Sequence, residues 1–382
     1  MLFTHLELKN WRNFRAADIK LQDRVFIIGS NASGKSNLLD VFRFLRDLVK
    51  PGGGLQHAFE KRGGLSKVRC LAARRFPQVE IAVEAVEGPA TWKYELGVKQ
   101  EQGRQRRPVV AHERVSLNGN RLFERPNSDD TADQERLSQT HLEQINANSE
   151  FRPLVKFFEQ VRYLHLVPQL LRHPGLSPGT EQPEDPFGRN FMEAIARSPQ
   201  KTRDSRLRRI EGALKAVVPQ LKQLKMDKDE LGIPHLEAIY EHWRGNGARQ
   251  REDQFSDGTL RLIGLLWSLL EGDAPLLLEE PELSLHTEIV RRIPNILALV
   301  QRKGKRQILV STHSTEMLSD PGIGGEEVVW LLPGNEGTEA VQLNSRPDLV
   351  AKLKSGLTVA DAILPYTAPQ RADQLSLALS HL

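Results

Sequence analysis

The sequence has very little cysteine and no long apolar run, and both absences narrow the class of protein. Its single cysteine, Cys70, excludes an internal disulfide and argues against a cysteine-based metal site. The longest uninterrupted apolar stretches, such as residues 262–267, are too short to span a bilayer. Residues 1–10 lack the apolar core of a signal peptide. We therefore expect a soluble, cytoplasmic protein that does not contact a membrane.

Acidic charge is scarce in two segments of an otherwise ordinary composition. The 382 residues are 39% hydrophobic and 27% charged, with a net charge of +4, which suits a globular protein of two or three lobes. Residues 201–225 hold eight Lys or Arg against two acids, and residues 101–125 hold six Arg against three Glu. Such segments form either a surface for a phosphate backbone or an ordinary solvated face, and the sequence leaves both open.

Residues 29–36 match the phosphate-binding loop pattern Gly-x-x-x-x-Gly-Lys-Ser at every fixed position. A short apolar run of strand type precedes them, and apolar residues at helical spacing follow them. A loop between a strand and a helix aims backbone N–H groups and the helix dipole at an anion. In this pattern Lys35 reaches the β- and γ-phosphates of a nucleotide, and the Ser36 hydroxyl is a ligand of Mg²⁺.

Two adjacent carboxylates, Glu279 and Glu280, end an apolar strand predicted at residues 275–278. Acids at the carboxyl end of a buried strand meet the phosphates in a doubly wound sheet. One acid would complete the Mg²⁺ shell and the next would polarise the attacking water, as in a Walker B element. Solvated loop acids after a strand are the alternative.

Two more elements follow the same arrangement. Ser256 and Gly258 precede a strongly apolar helix predicted at residues 259–270, where they either present N–H groups to a phosphate or form a plain N-cap. His313 ends another apolar strand, predicted at residues 306–310, where a lone histidine is more often structural. The alternation of strands and helices from residue 255 onward favours a mainly parallel sheet with helices on its faces.

The order of these elements resembles an ABC-type ATPase head of the SMC and RecF kind. The nearest likeness is to small stand-alone bacterial ATPases related to the head of OLD-family nucleases. Residues 8–14 resemble the opening segment of such chains, and Asn31 and Asn37 fit their form of the phosphate loop. Residues 255–261 resemble the signature motif, residues 284–286 the D-loop, and His313 the switch histidine. The resemblance covers about residues 1–100 and 250–335.

The resemblance implies an α/β P-loop ABC-type ATPase head, with a mixed sheet flanked by helices. The residues in the middle of the chain, which match no motif of these families, favour an inserted, mostly helical lobe. Two heads would sandwich two ATP molecules, with Ser256 and Gly258 contacting the γ-phosphate in trans. Glu280 would position the water and His313 would sense the γ-phosphate. Ser36 and Glu279 would hold Mg²⁺. The implied nucleotide-binding residues are Gly29, Asn31, Ala32, Ser33, Gly34, Lys35, Ser36, Asn37, Ser256 and Gly258.

Two features depart from that pattern or leave it incomplete. Glu279 stands where these families usually have Asp, which predicts slow hydrolysis. For the Q-loop, Gln56 and Gln78 are both candidates, and a surface glutamine is the commoner explanation for either.

The predicted organisation divides the ATPase head around an insertion. Residues 1–105 carry the phosphate loop, residues 106–250 form the largely helical lobe, and residues 251–345 carry the signature, Walker B acids and switch histidine. Residues 346–382 form a helical tail. We expect a homodimer or higher oligomer that acts on DNA or on a nuclease or other effector partner, in repair or in defence against foreign DNA. The alternative is an ATP-dependent scaffold with slow turnover that does not touch DNA.

Overall fold

The structure is a computed structural model that describes residues 1–73, 76–102, 106–172, 185–242 and 247–367. The helix-like segment at residues 368–382 that is part of the predicted tail lies outside the described residues. The strands of the described residues are β1 Leu2–Trp11, β2 Phe14–Lys20, β3 Arg24–Ile28, β4 Val79–Glu87, β5 Ala90–Gln100, β6 Pro108–Leu117, β7 Asn120–Arg125, β8 Arg162–Leu164, β9 Leu221–Lys228, β10 Pro234–Tyr240, β11 Ala248–Arg251, β12 Leu276–Glu279, β13 Ile308–Thr312, β14 Val328–Gly334 and β15 Gly337–Gln342.

The helices connect and cover these strands. In chain order they are α1 Lys35–Val49, α2 Leu55–Glu60, α3 Leu65–Val68, α4 Ser128–Ala132, α5 Arg152–Glu159, α6 Pro168–Leu171, α7 Phe191–Arg197, α8 Gln200–Lys215, α9 Asp257–Leu270, α10 Thr287–Val290, α11 Ile293–Gly304, α12 Thr315–Leu318, α13 Pro347–Lys354 and α14 Val359–Thr367. Short 3₁₀ turns occur at Gln134–Ser138, Ser149–Phe151, Glu252–Gln254, Gly325–Glu327 and Leu343–Ser345.

Two six-stranded sheets form the head. The first has the order β2-β1-β4-β5-β6-β7 and is antiparallel throughout. The second has the order β15-β14-β3-β13-β12-β8, in which only β15 is antiparallel to its neighbour. The carboxyl ends of β3, β12 and β13 therefore open at one edge of the second sheet, which is where parallel sheets bind ligands.

Successive side chains of β3, a strand inside the second sheet, point into two different hydrophobic cores. Val25 and Ile27 point to the core that α1 shares with the first sheet, whereas Phe26 and Ile28 point to the opposite core, which α11 and the helices near the end of the described chain cover. Successive side chains of a strand face opposite sides, so a strand buried on both faces needs a continuous apolar sequence. That requirement explains the run Val25-Phe26-Ile27-Ile28.

The lobe at residues 106–250, predicted to be largely helical, holds strands β6 to β10 and most of β11 as well as helices α4 to α8. Its first part, β6 and β7, extends the first sheet, and β8 is the edge strand of the second. A separate antiparallel sheet of order β11-β10-β9 packs beside α8 and α9. The strands β9, β10 and β11 lack a clear apolar pattern in the sequence because one face of their small sheet is solvated and rich in lysine, glutamine and arginine. Only a few residues of the other face, such as Leu221, Leu224 and Leu236, are buried. The domain boundaries themselves stay predictions.

Helices α10 and α11 follow each other closely in the chain but are separate. Pro294 lies in the first turn of α11, where its missing N–H costs nothing, and this position marks a new helix start.

Candidate active site

The phosphate loop connects β3 to α1 and has the backbone geometry that its glycines permit. Ala32 has φ 61° and Gly34 has φ 99°, and Gly34 is the N-cap of α1. A Cβ atom on Gly34 would lie 2.1 Å from Nδ2 of Asn13, so no larger residue fits without moving that side chain. Asn31, Ala32 and Ser36 are exposed at the loop surface, whereas Ser33 is buried.

Asn13, in the turn between β1 and β2, holds the loop from outside. Its Nδ2 donates to the carbonyl of Ser33 at 2.8 Å, and its Oδ1 accepts from Nδ2 of Asn37 at 2.8 Å. The Thr338 hydroxyl donates to the same Ser33 carbonyl at 3.0 Å. Segment 8–14 was singled out from the sequence by likeness alone, and these contacts give Asn13 a physical role. No sequence signal pointed to Thr338, which is 305 residues away from Ser33.

Lys35 is buried at the base of the loop, with 7% of its surface exposed. Its Nζ donates to the carbonyls of Gly29 at 3.0 Å and Ser30 at 3.2 Å. Burial lowers the pKa of Lys35, and the negative charges of Glu280, Glu282 and Glu279 partly oppose that shift. An ammonium group surrounded by carbonyls and acids, without an ion pair of its own among the described residues, is a ready partner for an anion.

Ser36 and Glu279 meet between α1 and β12. The Ser36 hydroxyl donates to one carboxylate oxygen of Glu279, and the Tyr163 hydroxyl donates to the other. A serine hydroxyl beside a carboxylate provides the hard oxygen ligands that Mg²⁺ prefers, and Mg²⁺ sites in such enzymes use only one or two protein ligands. The residues present therefore fit the predicted cation. Sequence reasoning missed Tyr163.

Glu280 and His313, which the sequence places 33 residues apart, are brought together at the ends of β12 and β13. Nδ1 of His313 lies 3.2 Å from Oε1 of Glu280. The Glu280 N–H donates to the carbonyl of Ser311 at 3.0 Å, and Glu280 has a positive φ of 43°. This backbone arrangement fixes where the carboxylate leaves the strand. The next acid, Glu282, is buried, and its burial raises its pKa.

The signature-like segment begins α9. Ser256 is the N-cap, with its hydroxyl accepting from the Thr259 N–H at 3.2 Å. A Cβ on Gly258 would lie 2.7 Å from the carbonyl of Ser284, so the signature and D-loop segments pack together only because residue 258 is glycine. Ser256 is exposed, and its hydroxyl bonds to Thr259 within its own helix.

The two glutamines proposed for the Q-loop form their hydrogen bonds away from the edge of the second sheet where the phosphate loop lies. Nε2 of Gln56 donates to the carbonyls of Pro108 at 2.8 Å and Ser138 at 2.7 Å, which ties α2 to the first sheet. Gln78 precedes β4, and its carbonyl accepts from Asn10. Gln169 in α6 is better placed because α6 follows β8, which runs parallel beside β12. Nε2 of Gln169 donates to Oδ2 of Asp257 at 3.1 Å, at the start of α9.

A polar cleft of about 260 Å³ extends from the phosphate loop along α1. Arg62 crosses its floor, donating to Asp40 at 2.8 Å and to Asp47 at 2.9 Å. Burial alone would raise the pKa of Asp47, but attraction to Arg62 and Lys61 lowers it to about 2. Cationic residues dominate the walls, which are lined by Arg12, Ser36, Asn37, Asp40, Arg43, Lys61 and Arg62.

Comparison with known proteins decides the family. The profile of the family AAA_21, described as "AAA domain, putative AbiEii toxin, Type IV TA system", matches residues 24–319. This match spans well over half of the 382 residues. The chain belongs to the AAA_21 family. A search of the curated proteins found no match.

Solved structures show the fold of this AAA_21 chain. An SMC head bound to the C-terminal winged-helix domain of ScpA has a TM-score of 0.55 at 15% identity, covering 89% of this chain and 98% of that one. A Pyrococcus furiosus SMC head with an extended coiled coil, bound to the C-terminal domain of ScpA, has a TM-score of 0.52 at 14% identity, covering 92% and 99%. The SMC head domain of Thermotoga maritima has a TM-score of 0.50 at 14% identity, covering 90% and 99%.

These findings confirm the predicted α/β P-loop ATPase fold and the resemblance to an ABC-type, SMC-like head. The closer likeness to OLD-family heads stays a prediction. As a member of the AAA_21 family, the chain carries an AAA ATPase domain, and its likeness to SMC heads is one of fold. Across the described ranges, no helix is long and apolar enough to cross a membrane.

Proposed function

We propose that this AAA_21 protein is a molecular switch that binds ATP and Mg²⁺, dimerises around two ATP molecules and hydrolyses them slowly. The observation that carries the proposal is the meeting of three segments at one sheet edge. Lys35 and Ser36 come from the loop, Glu279 and Glu280 from β12, and His313 from β13. Each is distant in sequence from the next group, so their meeting is a property of the fold.

The chain's own residues divide the work at this edge. Lys35 and the loop N–H groups, with Gly29, Asn31, Ala32, Ser33, Gly34 and Asn37, bind the phosphates. Ser36 and Glu279 would hold Mg²⁺, which supplies charge neutralisation at the β- and γ-phosphates. Glu280 accepts a hydrogen bond from the attacking water and orients it. His313, hydrogen-bonded to Glu280 at 3.2 Å, fixes that carboxylate and contacts the γ-phosphate. Phosphoryl transfer depends mainly on such positioning and electrostatics.

The signature segment supports a site completed by a second copy. Ser256 is exposed and caps α9, so its hydroxyl and the N–H groups at Gly258 can receive a phosphate from outside the chain. Gly258 also packs on the carbonyl of Ser284, which keeps the D-loop segment beside it. We propose that both segments face the phosphate loop of the partner subunit.

A site shared between two subunits makes turnover depend on protein concentration. We expect the ATPase rate per molecule to rise with protein concentration until dimers are saturated. The measurement is phosphate release over two decades of concentration. A rate per molecule that is constant across that range, at concentrations where light scattering shows monomers, would contradict the shared site.

The two basic segments of the sequence differ in how far their cations are ion-paired, and this difference bears on DNA binding. In the segment at residues 101–125, Arg107 pairs with Glu101 and Glu135, and both Arg114 and Arg121 pair with Glu124. Arg125 is fully buried against Asp130. These ion pairs offset part of the positive charge in the described part of that patch, although exposed Arg106 forms none, and they favour the solvated-face interpretation. This observation also favours the alternative function, an ATP-dependent scaffold that does not touch DNA.

In the segment at residues 201–225, Arg203, Lys215 and Lys225 form ion pairs, but three exposed cations form none with the described residues. Lys201 and Arg209 of α8 and Lys222 of β9 are exposed and form no ion pair within the described part of the chain. The sheet that carries Lys222 is joined to the signature segment, because buried Glu252 accepts from the Leu236 N–H at 2.8 Å just before Ser256. We propose that this surface binds the phosphate backbone of DNA and transmits binding to the ATP site.

The test variant combines Lys201→Gln, Arg209→Gln and Lys222→Gln. It should bind DNA more weakly, and the slope of its log binding constant against log salt concentration should be smaller by roughly 1 per lost phosphate contact. The measurement is duplex binding by fluorescence anisotropy at several salt concentrations. The matched control is Arg107→Gln, Arg114→Gln and Arg121→Gln, which removes the same charge from the ion-paired surface. Equal losses in the two variants would contradict a specific surface, and no DNA binding by wild type would favour the scaffold.

We also propose that the protein acts with a partner protein. The similar SMC heads are seen bound to ScpA domains, and the family description names a putative toxin of a type IV toxin–antitoxin system. Both are compatible with a head that acts through a nuclease or other effector protein. We propose defence against foreign DNA or DNA repair as the setting, in the cytoplasm.

A further inference from the structure

Tyr163 holds the Walker B carboxylate from the side opposite the phosphate loop. We propose that Tyr163 is a positioning residue for Mg²⁺ binding, which fixes one oxygen of Glu279 so that the other stays directed at Ser36 and the cation. This inference rests on the proposed ATP and Mg²⁺ site. It concerns a residue of β8 that belongs to none of the motifs of the sequence.

The sheet register brings the three groups together. Tyr163 is the direct neighbour of Leu277 on β12, and the two strands are parallel. Neighbouring residues in register face the same side of a sheet, and so does Glu279, two positions after Leu277. Helix α1 covers this side. Its Arg43 places a guanidinium 4.1 Å from the Tyr163 ring centroid, and Ser36 lies seven residues earlier on the same helical face. Tyr163, Glu279 and Ser36 therefore lie between sheet and helix.

Each carboxylate oxygen of Glu279 accepts a hydrogen bond, one from the Ser36 hydroxyl and the other from the Tyr163 hydroxyl. The two donors differ in what they can do. Ser36 sits exposed at the start of α1 and can turn its hydroxyl to a cation, whereas the Tyr163 ring is clamped beneath Arg43. The phenol therefore keeps its hydrogen bond when Ser36 gives its own up.

Glutamate needs this support more than aspartate does. Glu279 has one more rotatable bond than the aspartate usual in the families that the sequence resembles, and side-chain freedom must be lost when the carboxylate is fixed. A hydrogen bond from a rigid outer residue removes that freedom before the cation arrives. Outer partners of metal-binding carboxylates commonly change metal affinity by about 10–100-fold when they are removed.

The test is Tyr163→Phe, which keeps the ring and its contact with Arg43 and removes only the hydroxyl. Equilibrium binding of a fluorescent ATP analogue is measured in EDTA and across a Mg²⁺ titration. We expect the Mg²⁺ concentration for half-maximal stabilisation of the complex to rise about 10-fold. Binding in EDTA, which depends on Lys35 and the loop, should stay as in wild type.

Tyr94→Phe is the matched control. Tyr94 is buried in the first sheet and donates to Glu113 at 3.1 Å, so its change also removes a buried hydroxyl that bonds to a glutamate. Its Mg²⁺ dependence should equal that of wild type. A wild-type Mg²⁺ dependence in Tyr163→Phe, or the same shift in both variants, would overturn the inference. Wild-type protein that binds no nucleotide in either condition would instead overturn the proposed function itself.

Discussion

Replacing Lys35 with alanine should abolish ATP binding at micromolar protein concentrations. The ammonium group is buried at the loop base, where it now donates to the carbonyls of Gly29 and Ser30. In the complex it would donate to phosphate oxygens, and each hydrogen bond to a charged group contributes about 1.5–3 kcal/mol. Losing two such bonds lowers affinity by at least ~100-fold. The measurement is isothermal titration with Mg-ATP.

Lys99→Ala is the control for this change, since it removes the same side chain from an exposed position on β5. It should bind ATP as wild type does. Thermal unfolding without nucleotide separates a lost contact from a damaged fold. A Lys35→Ala protein that binds ATP with wild-type affinity would contradict the assignment of the loop.

Replacing Glu280 with glutamine should stop hydrolysis while ATP binding is retained. The amide keeps the size of the side chain and can still contact His313, but it cannot accept a proton from the attacking water. General base catalysis of this kind contributes about 10²–10⁴-fold, so turnover should fall by that factor. The measurement is single-turnover hydrolysis of ATP, together with binding of the same nucleotide.

The comparison variant is Glu288→Gln, an equally isosteric change at an exposed residue of α10. It should hydrolyse ATP at the wild-type rate. Normal hydrolysis by Glu280→Gln would remove Glu280 from the proposed role and direct attention to His313 and Glu282.

Local sequence patterns predicted those parts of the protein whose determinants are close together in the chain. The phosphate loop is specified by its own glycines and by the apolar strand and helix beside it, so its fold followed from residues 24–49. The β4–β5 hairpin is likewise specified locally, by alternating apolar and polar residues around a Glu-Gly-Pro turn. Helix α9 was recognisable because its apolar residues are continuous and Ser256 is a good N-cap.

The sequence could not reveal the contacts that join distant segments. Tyr163 is an ordinary residue of a three-residue strand, and its meeting with Glu279, 116 residues later, is set by the pairing of β8 with β12. The same holds for Thr338 beneath the phosphate loop. The sequence also gave no sign that Gln169 follows a strand of the central sheet, because β8 is too short to show periodicity.

The central claim is that ATP joins two of these heads, and the mass of Glu280→Gln protein tests it most directly. Size-exclusion chromatography with light scattering would be run with and without Mg-ATP, beside Lys35→Ala as the form that cannot bind nucleotide. The account predicts a shift from 43.2 kDa monomers to dimers with ATP for Glu280→Gln and no shift for Lys35→Ala. A mass of Glu280→Gln that stays the same with saturating ATP would contradict the shared site.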